Sequence, residues 1–135
     1  MAATDKNLHV TVITPAKSVF DAEAKSVVVP AFDGEVGVMP GHAPMLALLG
    51  TGELRVVLPD GRHQKLAIRG GFLQVNKNVV TVLTPESISS TDIVPATLDA
   101  EIQKLATENP IKLEERDALE TRRSWARTRK RVLAK

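Results

Sequence analysis

The chain has 135 residues and a formal net charge of +2, a total too small to indicate a nucleic-acid partner by itself. It contains no cysteine, which excludes disulfides, thiolate metal sites and thiol catalysis. Residues 1–7 carry no apolar run, and no later segment approaches the ~20 apolar residues of a membrane span. We therefore expect a soluble protein that is not secreted.

Up to about residue 84, short alternating runs stand between turn residues. Leu8, Val10 and Val12 share one face of the first predicted strand. Further strands are predicted at residues 27–29, 54–58, 66–69, 72–75 and 79–83, separated by turns at 33–34, 59–61, 70–71 and 76–78. Short strands at this spacing predict a sandwich or barrel, with a core of mainly Val, Leu and Ile.

A polar segment at residues 84–92 precedes a change of apolar period from two to near 3.6. This change predicts two domains, residues 1–86 and residues 87–135. Pro95 suits a first helical turn, because its missing N–H would be unpaired there. Asn109 and Pro110 end the first helix, and a second helix is predicted from about Ile111. The apolar stripe of the first helix consists of Leu98, Ile102, Leu105 and Ala106.

The second helix carries a narrow apolar stripe. Its members recur every seven residues at Ile111, Ala118, Trp125 and Val132, with Leu119, Ala126 and Leu133 beside them. A stripe this narrow gives modest adhesion, so the hairpin could detach and rearrange. The alternative is a surface hairpin that stays packed in one place.

Candidate catalytic and metal-binding groups are few. His9, His42 and His63 lie in separate segments without ligand spacing. Asp33 and Glu35 could form a carboxylate pair, although Asp33 and Gly34 also make an ordinary turn. No phosphate-binding glycine motif is present. We therefore expect no catalytic residue, metal or cofactor.

Charge is concentrated at the C-terminal end. Residues 99–120 hold seven acids and three bases, whereas residues 122–135 hold seven bases and no acid. Such a tip could bind nucleic acid, a membrane surface or an acidic protein. A nucleic-acid module typically interleaves aromatic residues, and only Trp125 is available.

Three stretches together resemble one known family. PAFDGEVGVMPGHAP, GGFLQVNKNVVTVL and RRSWARTRKR are similar, in order and spacing, to the epsilon subunit of F-type ATP synthases, especially its chloroplast and cyanobacterial members. The resemblance implies an α+β chain, in which an antiparallel β-sandwich of two sheets precedes an antiparallel two-helix hairpin. It also implies a non-catalytic rotor subunit whose sandwich docks on the gamma subunit and the c ring. Glu35, Met39 and His42 match the loop facing the c ring.

The hairpin in this family is regulatory, and extended along gamma it blocks ATP hydrolysis. The resemblance implies that Arg122, Arg123, Arg127 and Arg129 contact the acidic loop of the beta subunit, within the alpha/beta catalytic head. It implies no nucleic-acid partner and a peripheral location on the cytoplasmic or stromal side of an energy-transducing membrane, such as the thylakoid. The alternative from the residues alone is a free nucleic-acid-binding module with a basic helical arm.

One departure from the family concerns ATP. Members that sense ATP carry an acid and an arginine where the first helix starts, and here Val94 and Thr97 occupy those positions. Pro95 also removes a backbone N–H at the same turn. We therefore expect no ATP-binding residues and weak or absent ATP binding.

Overall fold

The computed structural model describes residues 7–133, which form eight strands followed by two helices. The strands are β1 (Leu8–Ile13), β2 (Ser18–Ala24), β3 (Ser26–Ala31), β4 (Gly34–Val38), β5 (Met45–Val57), β6 (His63–Asn76), β7 (Val79–Leu83) and β8 (Ser87–Ser89). A 3-10 turn at Ser90–Asp92 leads to α1 (Pro95–Thr107) and α2 (Leu113–Leu133). Neither helix of the described chain is long and apolar enough to cross a membrane.

The strands form a folded-over sheet. Their order is β2-β1-β7-β6-β5-β3-β4, with β8 beside β6. One buried cluster joins side chains from both ends of this order, including Val12 of β1 and Val29 of β3, so the sheet closes on itself as a sandwich. The predicted β-sandwich followed by two helices is confirmed.

Three details of the predicted sandwich are corrected. Hydrogen bonding runs through all eight strands as one sheet, because β5 and β6, at 13 and 14 residues, are long enough to serve both layers. The sheet is also mixed, since β1 pairs in parallel with β7 whereas the other pairs are antiparallel. Residues 70–71 were predicted as a turn, but they lie inside β6.

Glycines let β5 and β6 pass from one layer to the other. On one side of the bend Leu49 and Leu73 are buried, and on the other side Leu54 and Ile68 are buried. The alternation of buried positions therefore shifts by one residue on both strands, although their pairing register stays in step. The shift falls at Gly50 and at residues 70–71, where both glycines of β6 have positive φ, a conformation that side chains with a Cβ disfavour.

We call the half of the sandwich that contains residues 45–49 and 72–76 the first layer, and the half that contains residues 51–57 and 63–69 the second layer. The helices pack on the outside of the second layer. Ala67 of β6 joins Leu98 and Leu105 of α1 and Trp125 of α2 in a second buried cluster. α1 begins at Pro95, as predicted. The buried side chains of α2 are Leu119, Trp125, Ala126, Thr128 and Val132.

The predicted stripe on the second helix is partly wrong. Ile111 precedes α2 and is 91% exposed, and Ala118 is also exposed. The burial of α2 begins at Leu119, and the side chains of residues 113–118 are all exposed. The narrow stripe is therefore shorter than the heptad spacing indicated.

The segment after residue 86 continues the sheet. In β8, Ser87, Ile88 and Ser89 pair with Ile68, Ala67 and Leu66 of β6. The boundary between residues 86 and 87 stays a prediction, but hydrogen bonding to β6 extends past it.

Replacing Gly71 with alanine tests the bend. Gly71 has φ +109°, and an added Cβ would lie 1.9 Å from the carbonyl oxygen of Leu83. We expect Gly71→Ala to lower the free energy of unfolding by about 3 kcal/mol or more, because backbone must move to relieve the clash. Urea denaturation measures the change.

The matched control is Gly37→Ala in β4, where nothing lies within 4 Å of an added Cβ. We expect a change within about 1 kcal/mol. Equal stability of the two variants would contradict the proposed role of the bend.

Candidate docking and regulatory surfaces

The turn between β4 and β5 is organised by its own backbone and by a neighbouring turn. The N–H of His42 donates to the carbonyl of Met39 at 3.1 Å, and Nδ1 of His42 lies 2.7 Å from the carbonyl oxygen of Ala43. The N–H of Gly41 donates to Oδ1 of Asn78 at 2.8 Å. The half-buried His42 thus holds the loop in shape, while Met39 is 65% exposed.

Glu35 lies apart from that turn, which corrects the prediction of a single loop from residue 35 to residue 42. It belongs to β4, where its carboxylate accepts from Arg55 at 2.9 and 3.3 Å. Arg55 also donates to the buried Glu53 at 3.1 Å, and Lys65 lies 3.8 Å from Glu53. The carboxylates of Glu35 and Glu53 raise the pKa of the Arg55 guanidinium.

A row of apolar side chains faces outward on the first layer. Leu48 of β5 pairs with Phe72 of β6, which pairs with Leu83 of β7. Leu46 lies two residues along β5, and these four side chains are between 48% and 73% exposed. We call them the outer apolar face. An open groove continues from it past Pro15 and Pro85.

The sequence contained a signal for this face that the strand prediction missed. Residues 45–49 read MLALL, so both parities of the strand are apolar. A strand with one solvated face alternates apolar and polar residues. Leu46 and Leu48, at the even positions, therefore indicated that the outward face of this strand is apolar as well as the inward one.

The four predicted arginines of α2 divide into two pairs in the structure. Arg122 and Arg127 are more than half exposed. Arg122 approaches Glu108 at 3.7 Å, and Arg127 donates to Glu120 of its own helix at 2.6 Å. The Arg127 guanidinium lowers the pKa of the Glu120 carboxyl. Both arginines therefore remain accessible to solvent.

Arg123 and Arg129 instead bind α1. Arg123 donates to the carbonyl of Leu105 from Nε at 3.0 Å and from Nη2 at 2.7 Å, and Nη2 also donates to the carbonyl of Glu108 at 2.9 Å. Arg129 forms a two-pronged pair with Glu101, and its guanidinium lies 5.6 Å from the centre of the Trp125 ring. These α1 partners were not predicted.

The other candidate groups stay apart. Within residues 7–133, no group of three His, Asp or Glu side chains could hold a metal ion. His9 contacts Asp21 at 2.5 Å across β1 and β2, and Glu35 is paired with Arg55 rather than with Asp33.

A β-sandwich with a helical hairpin packed on one outer face defines the fold class, and sequence comparison identifies the family. Residues 7–90 match the family described as ATP synthase, Delta/Epsilon chain, beta-sandwich domain. The ATP synthase epsilon chain of Delftia acidovorans is 35% identical over 117 residues, which cover 87% of this chain and 78% of that relative. The chain therefore belongs to the delta/epsilon chain family of ATP synthase.

Cyanobacterial relatives match over the sandwich. The epsilon chain of a Synechococcus strain is 46% identical over 76 residues, 56% of this chain and 55% of that relative. The epsilon chain of Synechococcus elongatus is 47% identical over 77 residues, 57% of this chain and 56% of that relative. The chain thus spans about half the length of these relatives. The predicted resemblance to epsilon chains, cyanobacterial ones included, is confirmed.

Solved structures share the fold. A chain of the Euglena gracilis mitochondrial ATP synthase, in an OSCP/F1/c-ring structure, superposes with a TM-score of 0.82 at 21% identity, covering 96% of this chain and 82% of that one. A chain of the Tetrahymena thermophila central stalk and c-ring structure gives 0.63 at 16% identity, covering 94% and 96%. Because 96% and 94% of this chain are covered, the two superpositions include the hairpin as well as the sandwich.

Calorimetric titration with ATP tests the expected lack of ATP binding. Val94 precedes α1 without a side-chain cap, and the cleft beside Thr97 is lined by Glu101 paired with Arg129. Because the Arg129 guanidinium is already paired with Glu101, it is not available to bind phosphate, so we expect no saturable heat at micromolar ATP. A one-to-one isotherm that Arg129→Gln abolishes would contradict this.

Proposed function

We propose that the chain is a non-catalytic rotor subunit that couples the gamma subunit to the c ring of an ATP synthase and inhibits ATP hydrolysis through α2. The outer apolar face docks on gamma, and the turn at residues 39–44 meets the polar loops of the c ring. The hairpin leaves the sheet to reach the catalytic head. In this role the chain lies on the stromal or cytoplasmic side of a thylakoid or similar membrane, held there by the complex.

The outer apolar face carries the proposal. A soluble monomer rarely exposes a contiguous apolar patch without a function, and here Leu48, Phe72 and Leu83 lie side by side across three strands. The backbone N–H of Phe32 donates to the carbonyl of Leu48 at 3.0 Å, so Phe32 lies beside the outer apolar face. Its side chain is 82% exposed. The solved structures that share this fold come from a c-ring structure and from a central-stalk structure, which supports a place for the chain in the central stalk.

The turn at residues 39–44 suits a contact with short polar loops. Its backbone is fixed by the bonds of Gly41 and His42, so the exposed Met39 is presented without a large ordering cost. Glu35 lies on the face of the sheet that also carries Arg55 and Glu53, and its part in the c-ring contact stays a prediction.

The exposed arginines of α2 support the inhibitory role. Arg122 and Arg127 can pair with carboxylates of the beta subunit while the hairpin is still closed, and charge-assisted bonds of this kind are strong and directional. Arg123 and Arg129 become available after α2 separates from α1.

The nucleic-acid alternative has less support. Stacking on bases needs an accessible aromatic ring, and Trp125 is 8% exposed. Arg123 and Arg129 are bound to α1, which leaves a smaller basic surface than the sequence indicated.

Polar substitution of the outer apolar face tests docking. We expect Leu48→Gln combined with Phe72→Gln to weaken binding to purified gamma by at least about 100-fold, because each buried side chain of this size contributes about 1.5–3 kcal/mol. Both residues are exposed in the isolated chain, so the variant should fold. Titration of gamma with the labelled chain measures the affinity.

The control replaces exposed apolar residues of the hairpin, Val94→Gln combined with Ile111→Gln, which are 59% and 91% exposed. Gamma affinity should stay within about twofold of the wild type, the scale of an exposed substitution. Equal losses in both variants would show that general surface polarity, rather than this face, determines binding.

Neutralising the exposed arginines tests inhibition. In the assembled complex, Arg122→Gln combined with Arg127→Gln should raise the concentration for half-inhibition about fivefold, since exposed ion pairs contribute ~0–1 kcal/mol each. A chain ending at residue 92 should not inhibit. Arg62→Gln, on the turn before β6, is the control and should inhibit normally. Full inhibition by the double variant would remove these arginines from the mechanism.

A further inference from the structure

The turn between β6 and β7 holds two residues in a backbone conformation that side chains with a Cβ disfavour. Asn76 pairs with Val79, so Lys77 and Asn78 make the connection between the strands. Their φ angles are +49° and +66°, in the left-handed region that glycine adopts most easily. Positive φ at both central positions is typical of a type I′ hairpin turn, for which Asn-Gly is the favoured pair. Asparagine therefore occupies a position where glycine would cost least.

The side chain of Asn78 makes a contact that glycine lacks. Its Oδ1 accepts a hydrogen bond from the backbone N–H of Gly41 at 2.8 Å, and the two residues are 37 positions apart in the chain. A backbone N–H only donates, so the amide oxygen of Asn78, and not its nitrogen, faces Gly41. This bond joins the turn between β6 and β7 to the turn at residues 39–44.

The backbone of Asn78 is held from another side. Its carbonyl accepts from the N–H of His9 next to β1 at 2.8 Å, and Asn78 is half-buried whereas Lys77 is exposed. The bond to His9 uses only main-chain atoms, so it is independent of the residue type at position 78. The bond to Gly41 depends on the side chain. The two contacts can therefore be separated by substitution.

The bond from Gly41 restrains the turn at residues 39–44 in a different way from the bonds of His42. His42 contacts Met39 and Ala43, which both lie within the turn, so these bonds fix its shape. The bond to Asn78 fixes the position of the turn relative to the sheet. A binding surface that is ordered in advance loses less conformational entropy when it meets a partner.

We infer that Asn78 is a positioning residue for the c-ring contact, because its side chain holds the turn at residues 39–44 in the orientation that docks. This inference rests on the proposed docking of that turn on the polar loops of the c ring. The turn itself makes the contact, and Asn78 acts through Gly41. The left-handed backbone of Asn78 is the local cost of placing an acceptor oxygen at this point.

Asn78→Gly tests the bond without straining the turn. It removes Oδ1, keeps the main-chain bond to His9 and supplies the residue that φ +66° favours. The gain in backbone freedom offsets the lost bond, so the urea midpoint should stay near the wild-type value. In the full chain, we expect the Gly41 amide to lose protection from hydrogen exchange about fivefold, the scale of one hydrogen bond. Amides of β6 should exchange as in the wild type.

The functional measurement compares two affinities of the same variant. Detergent-solubilised c rings are titrated with purified gamma alone and with gamma bound to the chain, so that the contribution of the chain is the difference. We expect Asn78→Gly to weaken ring binding by the gamma complex about tenfold, the scale of ordering roughly one backbone residue on association. Affinity of the chain for gamma should stay unchanged, because the outer apolar face is untouched.

Two further variants are matched controls. Asn78→Asp keeps an acceptor oxygen and a residue type that tolerates positive φ, so it should restore Gly41 protection and ring affinity to within about twofold of the wild type. Asn76→Gly makes the same chemical change as Asn78→Gly at an exposed residue of the same turn. Both readouts should stay at the wild-type level in this variant.

The outcomes separate the inference from the proposed function. Unchanged Gly41 protection in Asn78→Gly overturns the inference, and so does lost protection with unchanged ring affinity. Restored protection without restored affinity in Asn78→Asp would also contradict it, since the asparagine amide would then contact the ring directly. If the wild-type chain adds nothing to the affinity of gamma for the ring, the proposed docking is wrong and the positioning role falls with it.

Discussion

The structure depends on one pair of strands that serves both layers of the sandwich. β5 and β6 pair from Met45 with Val75 to Val57 with His63, and the ladder stays in register through a bend at glycines. At one end of the ladder β6 pairs with β7, which pairs in turn with β1. Toward the other end β5 pairs with β3, and β6 pairs with β8. The core, the outer apolar face and the platform for the hairpin are therefore built on the same ladder.

This shared ladder also separates the two interaction surfaces. The outer apolar face lies on the first half, at Leu48 and Phe72, and the hairpin packs over Ala67 on the second half. Because the alternation of side chains shifts at the bend, a one-residue change there would exchange inward and outward positions. The outer apolar face and the helix pair therefore occupy separate halves of one ladder.

The hairpin is attached by two kinds of interaction with different behaviour. Its apolar cluster is small, with Leu98, Leu105 and Leu119 as the main aliphatic members around Trp125, and such contacts depend on area alone. The charged contacts of Arg123 and Arg129 need specific partners and geometry. The packed hairpin is therefore held partly by contacts that need specific charged partners and partly by an apolar cluster that does not.

Local patterns in the sequence determined a large part of this description. The alternation of Leu8, Val10 and Val12, the helix start at Pro95 and the break near Pro110 each depend on the residues at those positions, and the structure confirms them. The motif stretches indicated the family without any coordinates. The split of the arginines could not be foreseen in this way, since helical spacing leaves open which of four cations meets another helix.

The sequence by itself determined β1, β3 and β7 at least in part, the helix pair and the family, because backbone preferences and apolar period act between near neighbours in the chain. β2, β4 and β8 were not predicted. Only the tertiary structure decided that residues 70–71 continue a strand, that Glu35 pairs with Arg55, and that Arg129 is bound to Glu101 while Arg127 stays exposed. These facts join residues up to 28 positions apart. Their energies arise from burial and charge pairing that exist only after the sheet has bent and the helices have packed on it.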